Sequence, residues 1–167
     1  MRASPMRLPL WGGACLLLAL VSLTALLAAC TPALPAAQPL KSDDWGRYSV
    51  QPPPGTVTRL AIVFGTAGDT RLDTVVNALA ARGALVARID TALFAANVSD
   101  RKESCLDLAG IVNWHANYIG RRFNLPDLDP PLLVGAGNGA SLVYALLAQA
   151  PPLTFAAAVS DAPPAQL

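Results

Sequence analysis

This sequence predicts an α/β fold in three layers, a parallel sheet of about four to five strands with helices on both faces. Three observations carry that expectation. From Arg59 onward, short apolar runs end in glycine or aspartate. Between them lie stretches with apolar residues at helical spacing, and proline or glycine closes most of these stretches. The order is strand, then helix, then strand, which implies right-handed crossovers and strands buried on both faces.

The elements follow in order. Tyr48-Ser49-Val50 suits a short edge strand, and Pro52-Pro53-Pro54-Gly55 then breaks regular structure. Arg59 to Phe64 is a continuous apolar strand that ends at Gly65. Thr70 to Arg82 sets Leu72, Val75, Val76 and Leu79 on one helical face, and Gly83 stops it. Ala84 to Asp90 is the next strand. Thr91 to Lys102 reads as a loop with at most one helical turn, and Glu103 to Arg122 as a helix. Asn124 to Pro131 is a loop broken by Pro126 and Pro130. Leu132-Leu133-Val134 is a strand, Gly135 to Gly139 a glycine-rich turn, Ala140 to Ala150 a helix stopped by Pro151-Pro152, and Phe155 to Val159 the last strand. Ligands in such sheets bind beyond the carboxyl ends of the strands. Those ends are Gly65 to Asp69, Asp90 to Phe94, Gly135 to Gly139 and Ser160 to Pro163.

The amino-terminal part reads differently. Arg2 and Arg7 precede an apolar run from Leu8 that closes on Leu27-Ala28-Ala29-Cys30. A charged start, an apolar middle and small residues at a processing point make an export signal. The cysteine directly after Leu-Ala-Ala resembles a bacterial lipobox, in which it receives a lipid and becomes the first mature residue. Residues 1–29 are then a lipoprotein signal peptide and Cys30 the lipidation site. Leu8 to Ala29 is also long enough to cross a bilayer as a plain anchor. Gly12, Gly13, Cys30 and Thr31-Pro32 favour processing instead. Residues 30–55, rich in Pro and Ala, read as a tether, and residues 56–167 as a partial α/β domain. The expected place is the cell envelope on the periplasmic side. Thr31 after the cysteine, by resemblance to sorting in envelope bacteria, favours the outer membrane.

Composition removes several classes. The chain has 167 residues, a net charge of +1 and 53% apolar residues. No broad charged field argues for nucleic acid. Of three cysteines, Cys15 lies in the leader and Cys30 takes the lipid, so Cys105 has no partner for an internal disulfide. One histidine, His115, and one such cysteine assemble no metal site at usual spacing. No Gly-Lys-Ser/Thr follows a glycine turn, and Gly135-x-Gly137-x-Gly139 lacks dinucleotide spacing, so no cofactor is expected.

Leu132 to Ser141 places a strand, a tight turn and a helix in the context of a nucleophile elbow, G-x-S-x-G. The nucleophile is expected where Gly137 stands, and glycine has no side chain to attack anything. Gly135, Gly137, Asn138 and Gly139 thus form a degenerate elbow. Ser141, about one turn into the helix, is the remaining candidate hydroxyl. Gly65-Thr66-Ala67-Gly68-Asp69 follows the first strong strand, where the matching loop of α/β-hydrolases donates a backbone N–H to an oxyanion hole. Gly65, Thr66, Gly68 and Asp69 are the candidate oxyanion or ligand loop. After Gly137 the acid side chain is Asp161 alone and no histidine follows. His115, beside Trp114 and Tyr118 on a helix, reads as a packing or helix-surface residue.

Four stretches carry a family resemblance: Ala81 to Thr91, Ser99 to Cys105, Pro131 to Ala140, and Tyr144 to Pro152 with Thr154-Phe155. Together they resemble the amino-terminal domain of the AcvB/VirJ virulence family, over about Arg59 to Ser160. The resemblance implies an envelope protein with an α/β-hydrolase-like fold, linked to hydrolysis of lysyl-phosphatidylglycerol and to virulence-associated secretion. It also implies that the serine site of longer members lies in a second, carboxyl-terminal domain. A family cysteine after the last matching strand, a potential partner for the one at Cys105, is replaced here by Ser160 to Pro164.

Three functions follow. The first is a non-catalytic, membrane-anchored lipoprotein whose hydrolase-like domain binds a lipid head group or an envelope or secretion-system protein. The second is a serine-type hydrolase of lysyl-phosphatidylglycerol or a related ester, using Ser141 or groups from a partner. The third is an inactive fragment with an exposed strand edge.

Overall fold

Alternation along the strands decides where the core sits. In β3 (Arg59–Gly65), Leu60, Ile62 and Phe64 point to one face of the sheet and Ala61 and Val63 to the other. In β4 (Ala84–Asp90), Leu85, Ala87 and Ile89 join the first face and Ala84 and Val86 the second. Both strands are mostly apolar because both faces are covered. The structure is a computed structural model that describes residues 33–101, 103, 105–125 and 129–161. The expected leader and the lipidation site Cys30 lie outside the described residues. Among the described residues no helix is long and apolar enough to cross a membrane.

α1 (Thr70–Ala81) covers the second face through Leu72, Val76 and Ala80. α2 (Thr91–Ser99), α3 (Leu108–Arg122) and α4 (Asn138–Gln149) cover the first through Phe94, Val98, Val112, Ile119, Val143 and Leu146. These are the three layers expected. β5 (Leu132–Ala136) pairs parallel with β3, and β6 (Ala157–Asp161) pairs parallel with β5. β6 lies at the sheet edge, and its Val159 is exposed.

The sheet departs from an all-parallel one at its other edge. β1 (Gln38–Ser42) and β2 (Gly46–Gln51) form an antiparallel hairpin, and β2 pairs antiparallel with β4. The order among the described strands is β1-β2-β4-β3-β5-β6. Six strands replace the four to five expected, and the tether expected over residues 30–55 gives way to sheet at Gln38. The cause is burial: Trp45, Tyr48 and Val50 sit in the core, with Trp45 packed edge-on to Tyr48 at 5.1 Å between ring centroids. That apolar area outweighs the weak strand propensity of Pro39, Lys41 and Gly46.

Helix starts also differ from expectation, and side-chain caps explain those of α2 and α3. Asp90 accepts from the N–H groups of Ala92 and Leu93 at 2.8 and 3.1 Å, which starts α2 where a loop was expected. Asp107 accepts from Gly110 N–H at 2.8 Å, so α3 begins at Leu108 rather than Glu103. α4 begins at Asn138, two residues early, directly on the turn.

Candidate functional site

The turn between β5 and α4 has the backbone of an elbow. Gly137 stands at φ +55° and ψ −122°, a conformation that side chains rarely adopt and glycine adopts freely. A Cβ built on Gly137 meets nothing within 4 Å. Its two glycine neighbours are different. A Cβ on Gly135 would run into the carbonyl oxygen of Gly139, and one on Gly139 into the carbonyl oxygen of Phe64. Gly135 and Gly139 therefore let β5, β3 and α4 approach closely, while Gly137 presents an exposed, open point where the elbow tip needs a nucleophile. Ala140 N–H donates to Gly137 O at 3.0 Å, and Gly137 N–H to Asp161 O at 3.3 Å, which fixes the turn against β6. Asn138 is exposed at the first position of α4.

Ser141 lies one turn further on. Its hydroxyl is buried and has no hydrogen-bond partner. Together with Asn138 and Leu142 it lines a cavity of about 480 Å³, closed on the other side by Thr91, Phe94 and Val98 of α2 and by Leu106. The Thr91 hydroxyl is likewise buried without a partner. No histidine reaches this cavity wall.

The loop Gly65 to Asp69 sits at the carboxyl end of β3, with Thr66, Ala67 and Gly68 exposed. Its groups are already engaged. Ala67 N–H donates to Asp90 Oδ2 at 3.2 Å. Asp69 caps α1 by accepting from Arg71 N–H at 2.9 Å. Arg88 reaches the carbonyl oxygens of Thr66 and Asp69 and pairs with Asp73. Gly65, Ala67, Gly68, Arg88 and Asp90 line a groove of about 320 Å³ together with Arg47 of β2. Charges of both signs thus meet beside the loop. The single N–H expected to face an oxyanion is replaced by an amide held on a carboxylate.

His115 is far from acyl-transfer duty. It is buried at 1% exposure, packs on Trp45 at 4.2 Å between ring centroids, and holds Asp44 Oδ2 from Nε2 at 3.0 Å. Burial, with the Arg101 charge second, lowers its pKa to about 4, so the ring is neutral at pH 7. A carboxylate only accepts, so Nε2 carries the proton and Nδ1 is left without a partner. Of the two readings made from sequence, packing residue is the one the coordinates bear out. Cys105 is free and exposed, and among the described residues no group of acidic, histidine or cysteine side chains could hold a metal.

Arg47, Arg88 and Thr91 were not legible as site residues. The strand end Asp90 to Phe94 carried the only signal, as a place rather than as particular side chains.

No protein-family model and no curated protein matches the chain. Solved structures do match it in fold. LpqC, a poly(3-hydroxybutyrate) depolymerase from Bordetella parapertussis, has a TM-score of 0.54 at 15% identity, covering 79% of this chain and 52% of its own. A thermostable carboxyl esterase from Bacillus coagulans, solved in complex with glycerol, has a TM-score of 0.50 at 17% identity, covering 78% of this chain and 44% of its own. The chain therefore has an α/β-hydrolase-like fold and spans about half the length of these structures.

Proposed function

We propose that this chain is a lipid-anchored envelope protein, related to the AcvB/VirJ family, whose hydrolase-like domain binds a lipid head group without cleaving it. One observation carries the proposal: the elbow backbone is present at Gly137, with open space above it, and the side chain that would attack is absent. Acyl transfer needs a nucleophile, a base and donors aimed at an oxyanion. Here the candidate donor Ala67 N–H is engaged by Asp90, and the sole histidine is held by Asp44.

A binding role fits what remains. The groove beside the Gly65 to Asp69 loop offers Arg47 and Arg88 to a phosphate and Asp90 to an ammonium, the two charges of an aminoacylated phosphatidylglycerol. Arg88 and Asp90 also make structural contacts, which leaves Arg47 as the freely exposed charge of the groove. The lipobox at Cys30 supplies the membrane as workplace, with the periplasmic side of the outer membrane as the place. A lipoprotein carries several acyl chains, enough for stable anchoring where one chain binds marginally. An envelope or secretion-system protein is the second partner class, drawn from the same resemblance.

The competing reading is a hydrolase of lysyl-phosphatidylglycerol or a related ester, favoured by the buried, unpartnered hydroxyl of Ser141. A serine-directed fluorophosphonate probe separates the two. The binding role predicts no labelling, together with retention on vesicles containing lysyl-phosphatidylglycerol that Arg47→Glu weakens. Labelling that Ser141→Ala removes, with turnover of the lipid, would establish the hydrolase instead.

A further inference from the structure

The cavity between α2 and α4 has a composition that a head-group site does not explain. Its walls include Phe94, Val98, Leu106 and Leu142, and among the described residues no charged side chain lines it. Its polar atoms include two hydroxyls, Thr91 Oγ1 and Ser141 Oγ, both buried and both without a hydrogen-bond partner. Thr91 is 8% exposed. Buried hydroxyls in folded proteins are nearly always partnered, so two on one cavity call for a group that is supplied from outside. The volume of about 480 Å³ lies within the usual range of small-molecule sites, ~300–1,000 Å³.

We propose that this cavity is a site for a single acyl chain bearing an ester carbonyl. The tail lies against Phe94, Val98, Leu106 and Leu142, and the carbonyl oxygen accepts from the hydroxyls of Thr91 and Ser141. The chemistry of the wall selects the ester over an ionised carboxylate or phosphate. A buried anion needs a cation or several donors, and among the described residues this wall has no arginine or lysine. An ester carbonyl needs only the hydrogen bonds that two hydroxyls give. Position supports the same ligand. Thr91, on the cavity wall, follows Asp90 of the charged groove directly, so both border the carboxyl end of β4, as the polar and apolar parts of an amphiphile require. The inference rests on reading this end of the domain as a binding site, and adds the chemical class of what enters it.

Isothermal titration of the intact protein with monooctanoylglycerol, octanoate and glycerol tests it. Saturable binding of monooctanoylglycerol, weaker binding of octanoate and none of glycerol is the expected pattern. Thr91→Val removes one hydroxyl at nearly constant shape and weakens monooctanoylglycerol by about fivefold, the worth of one hydrogen bond. Its Tm stays level or rises, because the lost hydroxyl had no partner. Ala95→Phe, at an exposed position on the cavity rim, blocks entry while the protein still melts cooperatively. Absence of monooctanoylglycerol binding, tighter binding of octanoate, or affinity unchanged in both variants overturns the site. Labelling of Ser141 by a fluorophosphonate would overturn the non-catalytic reading alone and leave tail binding standing.

Discussion

His115 Nε2 lies 3.0 Å from Asp44 Oδ2 and ties α3 to the turn between β1 and β2, two segments 71 residues apart. The sole histidine of the chain thus closes the sheet edge. Arg101 pairs with the same carboxylate, so the Asp44 charge is shared between an ion pair and a neutral imidazole. Trp45 and Trp114 flank the ring, at 4.2 and 4.8 Å between centroids.

Acid weakens this closure. The folded pKa of His115 is lowered to about 4, against 6.5 in an unfolded chain. Below about pH 6.5 the unfolded state binds a proton that the folded state does not, and stability falls wherever that holds. The contribution of neutral His115 is whole above pH 6.5 and is lost as pH falls towards 4, on the order of 3 kcal/mol if the full shift is realised. Thermal melts at pH 7, 5.5 and 4.5 should show the parent losing more Tm than His115→Gln, which starts lower and runs flatter. Parallel profiles would contradict the assignment.

Trp45 anchors the hairpin at 0% exposure. Trp45→Ala should cost about 3–5 kcal/mol in urea unfolding, as for other large buried aromatics. A tether over the same residues would give no change, so the measurement also decides where the folded domain begins.

That hairpin marks the limit of what the residues reveal by themselves. β3, β4 and β5 are mostly apolar runs that end in glycine or aspartate or just past a glycine, and a strand buried on both faces is recognised by such a run. Lys41-Ser42-Asp43-Asp44 hides its neighbours. The strands around it are held by long-range burial of Trp45 and Tyr48, not by local propensity. α2 was missed for a related reason: Thr91 to Val98 is apolar almost throughout, so no helical period shows, and only the Asp90 cap marks its start. The elbow was legible because its geometry is local to five residues. The cavity was not, since Thr91 and Ser141 meet only through packing of α2 and α4.

The three elbow glycines should rank by what surrounds them. Gly139→Ala and Gly135→Ala place a methyl on backbone carbonyls that cannot move without shifting β3 or α4. Each should exceed the ~1–3 kcal/mol usual for overpacking, to the point of losing a cooperative transition. Gly137→Ala has room and suffers only from its positive φ, about 1–3 kcal/mol. Urea midpoints of the three variants, with Gly137→Ala the highest, check the order.

Restoring the absent hydroxyl should not restore chemistry. Gly137→Ser fits sterically, since nothing lies within 4 Å of the new Cβ, and it pays the same backbone strain as alanine. A serine attacks only when a base takes its proton. His115 is buried, its Nε2–H is committed to Asp44, and its depressed basicity makes it a poor acceptor even if it were near. Asp90, the carboxylate at the end of β4, two strands away from β5, already accepts from the N–H groups of Ala67, Ala92 and Leu93. The expected outcome is a folded variant with background turnover of p-nitrophenyl acetate and background labelling by a fluorophosphonate. A rate at least about tenfold above the parent, corresponding to ~1.4 kcal/mol of new transition-state stabilisation, would mean that a base does reach the elbow and that a single residue separates this domain from an esterase.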